Sequence, residues 1–274
     1  MTSAERAGTA TGSRTPTAWA EALYAARRDR APIPPISDAD TSLGPAGAYA
    51  IQQELVAMIL REGGSVVGYK LGLTSRPMQQ LLGVDQPDYG PVLSSMVFDD
   101  GATIASTTLI QPKAEAEIAL TLERPLRGPG VTVADAAAAI AGARAAIEVV
   151  DSRISDWKIK LVDTVADLAS SAAIVLGRHV VPIEGWDPRL VGMVVAKNGE
   201  VQGTGAGAAA LGDPVSAVAW LANTLAPFDV TLEPGHFVMT GALHAAFPVA
   251  PGDIVHAEFD RLGSVTARFE EEVA

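Results

Sequence analysis

No cysteine occurs among the 274 residues, so disulfides, thiolate metal sites and a cysteine nucleophile are excluded together. A reducing cytoplasm is the simplest compartment for such a chain. Positive charge is also scarce: 20 Lys and Arg face 32 Asp and Glu, giving a formal charge of −12. A surface of this kind repels nucleic-acid backbones and anionic membrane faces, and neither is expected as a partner. Long apolar runs are missing as well, because the longest, Ala136 to Ala143, is too short and too alanine-rich to span a bilayer. The four histidines, His179, His236, His244 and His256, lack metal-ligand spacing, and no G-x-S-x-G elbow supports serine-hydrolase chemistry. What the chain does have is 48% hydrophobic residues, enough to bury a full core and fold as a soluble protein.

Residues 1–15, rich in Thr, Ala, Gly and Ser, lack the apolar centre of a secretory signal and read as a disordered tail. Apolar residues at helical spacing over Thr17–Arg28 and Pro45–Arg61 predict an N-terminal helical segment, residues 16–65, closed by Gly63-Gly64. From Val66 onward short strands broken by turns predominate: Met96–Phe98, Ala114–Leu122, Ala146–Val150, Leu190–Ala196, His236–Leu243 and Ile254–Phe259. One clear helix, Pro214–Leu225, interrupts them, opened by Asp213 as cap and proline in the first turn. Lys197-Asn198-Gly199 predicts a hairpin turn. Strands without regular βαβ alternation predict an α+β fold with a β-rich catalytic region, residues 66–274.

An acidic protein that handles an acidic substrate needs local positive charge or a bound cation. The segment Pro112-Lys113-Ala114-Glu115-Ala116-Glu117-Ile118 offers the second. As a strand it puts Lys113, Glu115 and Glu117 on one face, the carboxylates roughly 7 Å apart at their Cα atoms, so both can lean onto one ion. Magnesium or manganese takes such oxygen ligands and keeps positions open for a chelating substrate. An exposed strand face or a short helix is the competing reading of the same letters. Glu148 lies in an apolar run that reads as a buried strand, where a buried acid needs either a metal or an ion pair with Arg144 or Arg153. Lys70, set between Gly68 and Gly72, is a candidate charge for a substrate carboxylate or developing enolate, or else a surface lysine. Asp85 and Asp88 bracket Gln86-Pro87 in a turn that could present a general base. Gly203-Thr204-Gly205-Ala206-Gly207 follows a hairpin and lacks the dinucleotide-binding spacing, so its glycines read as a close turn.

Taken in order, Gly68–Ser75, Gly83–Gly90, Lys113–Ile118, Ile147–Trp157, Asp163–Asp167, Leu211–Pro214, Trp220–Ala222 and Thr240–Leu243 resemble the 2-keto-4-pentenoate hydratase family of the fumarylacetoacetate hydrolase superfamily. The resemblance runs from about Ala48 to Phe269. It implies a divalent metal, Mg or Mn, held by Glu115, Glu117 and Glu148, with Lys70 and Asp88 catalytic and Tyr89 and Thr240 near the substrate. It also implies a β-rich fold of that superfamily, a homo-oligomer, and a small 2-oxo or 2-hydroxydienoic acid as substrate. Hydration is the implied reaction; a 4-oxalocrotonate-type decarboxylase and a non-catalytic ligand-binding homologue are the alternatives. Two departures bear on the substrate tail: Asp167-Leu168-Ala169-Ser170 stands where relatives usually have Asp-Asn-Ala-Ser, and His244 where glycine often follows Thr-Gly-Ala-Leu.

Overall fold

The computed structural model describes residues 14–271. Most of the expected tail lies outside the described residues; Thr15 within it caps the first helix by accepting from the Ala18 N–H. Helices α1 (Pro16–Asp29), α2 (Ile36–Ala39) and α3 (Pro45–Leu60) lead into strand β1 (Val66–Gly72), α4 (Arg76–Leu82) and β2 (Asp88–Leu93). Then come β3 (Val97–Asp99), β4 (Thr103–Ile104), β5 (Lys113–Leu122), α5 (Val133–Ala139), β6 (Ile140–Val150), α6 (Leu161–Ala166) and β7 (Ser171–Leu176). The remainder is β8 (Gly192–Lys197), β9 (Glu200–Ala206), α7 (Pro214–Leu225), β10 (Phe237–Ala242), β11 (Phe247–Pro248), β12 (Ile254–Phe259) and β13 (Gly263–Phe269). The helix α7 cap is as expected, with the Asp213 carboxylate accepting from the Val215 N–H.

Two mixed sheets organise the chain. The larger runs β2-β1-β10-β5-β6-β7-β3, with β11 pairing to β5 beyond the end of β10; the smaller runs β4-β13-β12-β8-β9. Period-two alternation assigns their faces. Ala114, Ala116, Ile118 and Leu120 of β5, with Ala145, Ile147 and Val149 of β6, enter one core with Val255, Ala257, Val265 and Ala267 of the smaller sheet. The alternate residues of the large sheet, among them Ala119, Ala146, Ile174 and Met239, meet the helices instead: Trp19, Leu23, Ile51 and Leu55 pack on them at four-residue spacing. Each such fully buried aliphatic side chain contributes about 1.5–3 kcal/mol. Gln52 of α3 fixes the layer, its amide donating to the Tyr89 carbonyl at 3.1 Å and the Val165 carbonyl at 2.7 Å.

Two expectations change. Residues Gln86–Asp88 do not present Asp88 on a turn; Asp88 opens β2, paired opposite Gly72. Strands β2 and β7 are buried on nearly every position, so no polar alternation marked them in the sequence. The Gly203–Gly207 run is strand β9 and its exit rather than a turn. A Cβ at Gly205 would run into the Leu243 backbone and one at Gly207 into the Pro188 backbone, so the glycines permit a close approach.

Candidate active site

The carboxylates gather on the face of the large sheet that carries the helical layer. Glu115 of β5 and Glu148 of β6 are directly opposite each other in register, and Glu117 follows two residues along the same face. Oxygens of all three lie within 4.8 Å of one another. Glu117 and Glu148 are buried while Glu115 is half-buried, so the cluster meets solvent on the Glu115 side. The alternative reading of Glu148, an ion pair with Arg144 or Arg153, does not form: Arg144 donates to the Gly177 carbonyl and Arg153 is held by Asp167.

Lys70 supplies the counter-charge. Its strand lies three places from β6 in the sheet order, roughly 14 Å at ordinary strand spacing. Its Nζ nevertheless stands 3.3 Å from Glu148 Oε2, so long side chains and the curl of the sheet close the span. Only 4% exposed, it is no surface lysine, and it donates to the Ala169 carbonyl at 3.0 Å. Burial alone would lower its pKa, but the fields of Glu148, Asp88, Glu115 and Glu117 raise it above the ordinary lysine range. Lys70 is therefore a fixed cation. Asp88 shares its face of the sheet, placed diagonally across the β1–β2 pair, where Lys70 faces Gly90 and Asp88 faces Gly72. A Cβ at Gly72 would collide with Asp88 Oδ1, so the glycine is what admits this carboxylate.

Around these groups the backbone does much of the holding. Ser171 donates its hydroxyl to Glu148 Oε1 at 2.7 Å, and the Gly241 N–H donates to Glu117 Oε2 at 2.9 Å. Gly241 has φ +115 and sits against Thr74, a place no side chain fits. The Ala169 carbonyl comes from a turn, Leu168-Ala169-Ser170, whose three residues all have left-handed φ of 50–56°. Such a run costs of order 1–3 kcal/mol per residue and must be held from outside. Arg153 does so, its guanidinium bonded to the Asp167 carboxylate and carbonyl and to the Ser171 carbonyl. Gly90 lets the turn approach, since a Cβ there would strike the Leu168 backbone. Sequence reasoning missed Ser171 and the Ala169 carbonyl, held Gly241 only as part of the Thr240–Leu243 motif, and named Arg153 only as a possible partner of Glu148; the unusual Asp-Leu-Ala-Ser spelling pointed at this turn.

Neither of the two expected substrate residues is hydrogen-bonded to the carboxylates. Tyr89 faces away from Asp88 on β2, in the core between the sheets, its ring stacked on Tyr49 at 4.6 Å. Thr240, fully buried, donates to the Ile118 carbonyl at 2.9 Å and braces the irregularity in β10 that frees the Gly241 N–H. His244 is a neutral imidazole: Nε2 accepts from the Ala116 N–H at 2.8 Å, which leaves Nδ1 to donate to the Ala245 carbonyl at 2.7 Å. Burial lowers its pKa, in keeping with that state.

Two orphaned oxygens test the site for a cation. Glu117 Oε1 and Asp88 Oδ1 are buried without a hydrogen-bond partner, and Glu148 Oε2 has only its ion pair with Lys70. Burial and the neighbouring Glu148 raise the pKa of Glu115 to about 7 and that of Glu117 well above its ordinary value. Burial also raises Asp88, with Lys70 opposing and Glu148 adding to the shift. Crowded, dry, all-oxygen carboxylates with unused lone pairs fit a hard divalent cation.

Comparison with known proteins agrees with this geometry. The model of the fumarylacetoacetate (FAA) hydrolase C-terminal family matches residues 72–270. A 2-keto-4-pentenoate hydratase of Burkholderia vietnamiensis is 49% identical over 82% of this chain and 86% of its own. Another 2-keto-4-pentenoate hydratase, from Paraburkholderia xenovorans, is 43% identical over 92% of this chain and 93% of its own. Among solved structures, 4-oxalocrotonate decarboxylase from Pseudomonas putida G7, complexed with magnesium and adipate, superposes with a TM-score of 0.89 at 40% identity. That match covers 93% of this chain and 97% of the other.

Proposed function

The chain belongs to the fumarylacetoacetate hydrolase family, in its 2-keto-4-pentenoate hydratase branch, and from that premise we propose that it adds water to a 2-hydroxy-2,4-dienoate to give a 4-hydroxy-2-oxo acid. Glu115, Glu117 and Glu148 would hold a divalent cation, magnesium or manganese. When bound, such an ion supplies Lewis-acid stabilisation of negative charge on a substrate's chelating carboxylate and 2-oxygen.

The remaining work falls to this chain's side chains. Ketonisation moves the proton of the 2-hydroxyl to C5 and leaves a C3–C4 double bond conjugated to the 2-oxo group. Lys70 is pinned by Ala169 and Glu148, so its charge is already in place to stabilise the enolate as it develops. Water then adds its oxygen to C4 and a proton to C3. Asp88 takes the proton from that water, because its Oδ1 is buried, unpartnered and on the same face as Lys70.

That oxygen is the observation that carries the reading. Burial raises the pKa of this carboxylate above its ordinary range, which makes it a stronger base for taking a proton than an exposed aspartate. Decarboxylation needs instead a cation for a second carboxylate at the far end of the substrate; the neutral His244 does not supply one, and Lys113, on the face of Glu115, is drawn onto the Trp157 ring. Cytoplasmic action as a homo-oligomer belongs to the same reading. The absence of cysteine supports the first, and the exposed Val194, Val201 and Ile254 on the outer face of the smaller sheet support the second. No helix of the described residues is long and apolar enough to cross a membrane.

Turnover of 2-hydroxypenta-2,4-dienoate, followed by loss of its dienol absorbance with added magnesium or manganese, tests the proposal. Activity that disappears on exhaustive chelation and returns with the metal is expected; turnover unchanged by chelation refutes the metal-assisted reading.

A further inference from the structure

Lys70 is not the only cation on the face of the carboxylate cluster. Lys113 opens β5 opposite Val150, and Glu115 and Glu117 follow it at two-residue intervals. Period-two geometry puts the three side chains on one face, with roughly 7 Å between successive Cα atoms. Lys113 and Glu115 are half-buried, whereas Lys70, Asp88, Glu117 and Glu148 are buried, so Lys113 stands on the open side of the cluster. Its positive field reaches Glu115. Among the described residues, however, no carboxylate forms an ion pair with it; its Nζ lies over the Trp157 ring, 4.2 Å from the centroid. An ammonium there is stabilised by the ring quadrupole, and indole is the strongest such face.

The ring is held for this contact. The Trp157 indole N–H donates to the Gln111 carbonyl at 3.0 Å, two residues before Lys113. Trp157 and Asp156 have left-handed φ of 54° and 57°, a conformation that bulky side chains adopt only where the surroundings impose it. Gln111 ties down the run leading into them: its side-chain amide donates to the Ser152 carbonyl at 2.8 Å and the Ile154 carbonyl at 2.6 Å. Its backbone N–H donates to the Asp151 carboxylate at 2.7 Å. The lead-in to β5 thus fixes both the lysine and the ring that covers its charge.

The far end of a substrate meets this pair. With its reacting end beside the buried Lys70 and Asp88, a linear acid leaves its tail toward the half-buried Glu115 side, where Lys113 stands. We propose that Trp157 is a specificity-determining residue, which rests on the hydration reading of the same site: by holding the Lys113 ammonium on its indole face it denies the site a cation for a second carboxylate and selects monocarboxylate over dicarboxylate 2-oxo and 2-hydroxydienoic acids. A second carboxylate arriving there finds carboxylates of like sign and no free cation, and a neutral tail meets no such penalty.

Calorimetric titration of the magnesium-loaded, full-length protein with 2-oxohexanoate and 2-oxohexanedioate tests this, because the two differ only at the far end and neither carries a double bond to hydrate. The wild type is expected to bind the monoacid about tenfold or more tightly than the diacid. Trp157→Leu, which releases Lys113, should cut that preference about fivefold or more by tightening the diacid, and adding Lys113→Met to it should restore the preference. Lys113→Met alone should leave the wild-type preference within about twofold, since the tail does not use that charge. Trp157→Phe keeps a ring without its tether to Gln111, should shift the preference the same way by about twofold or more, and serves if Trp157→Leu does not fold. No binding of either acid, a wild type without preference, a preference unchanged in the Trp157 variants, a shift that persists when Lys113→Met is added, or Lys113→Met by itself weakening the diacid overturns the assignment. A dienoate left unhydrated while the preference follows Trp157 and Lys113 as stated refutes the hydration reading alone.

Discussion

Lys70 and Glu148 form the contact on which the site's electrostatics turn, because four buried or half-buried carboxylates share one lysine. Replacing it by an isosteric apolar chain, Lys70→Met, is predicted to lower kcat by about 10²-fold or more, the usual loss when one preorganised stabiliser of an oxyanion is removed. The test is kcat set beside the denaturation midpoint: a near-normal kcat in a folded variant returns Lys70 to a purely structural pairing role. At this scale the sequence was legible where function resides in side chains. Glu115 and Glu117 are two apart on a strand, and period-two geometry is enough to bring them together. It was illegible where function resides in the backbone. The Ala169 carbonyl and the Gly241 N–H carry no letter of their own, and Ser171 reaches Glu148 only through β6–β7 pairing in a strand with no alternating pattern.

Among the elements, α3 is the one that ties the helical layer to the site, since Gln52 bridges β2, which carries Asp88, to the end of α6. Removing that amide strands two carbonyls in a buried place. Gln52→Leu is predicted to destabilise the fold by about 1–3 kcal/mol, the cost of buried polar groups left unpaired. Chemical denaturation measures it, and an unchanged midpoint would mean that the layer is held by apolar packing alone. The helices themselves were plain in the sequence because Trp19 and Leu23, and Ile51 and Leu55, repeat at four residues over one face. Strand β5 was equally plain. The run Ala136–Ala143 was not: a capping box of Thr132 and Asp135 starts α5, and the chain turns extended at Ile140 to begin β6 with no polar break between. Asp88 was placed on a turn because Gln86-Pro87 signals one, whereas pairing with β1 draws the next residue into a sheet.

For the molecule as a whole, the carboxylate cluster ties stability, metal and pH together. Glu115, raised to about 7 from an unperturbed 4.5 by burial and by Glu148, binds its proton more tightly in the folded protein than in the unfolded chain. Its contribution to stability without metal is therefore fully present below pH 4.5 and is lost as pH rises through about 7. Glu117, raised further by burial, acts in the same direction. A cation must displace these protons, so metal affinity is predicted to rise by about tenfold per pH unit for each proton displaced below pH 7. The gap in melting temperature between metal-loaded and chelated protein should accordingly widen from pH 5 to pH 8; a gap independent of pH would mean that these carboxylates do not bind the ion. Metal alone does not choose between adding water and releasing carbon dioxide, and the choice is assigned to Asp88 and to a neutral His244. The most direct test follows products by mass and by carbon dioxide release when the magnesium-loaded protein meets 2-hydroxypenta-2,4-dienoate and, separately, 2-oxohex-3-enedioate. The account predicts that the dienoate becomes 4-hydroxy-2-oxopentanoate while carbon dioxide release from the diacid is slow; rapid decarboxylation of the diacid with the dienoate left unhydrated would contradict it.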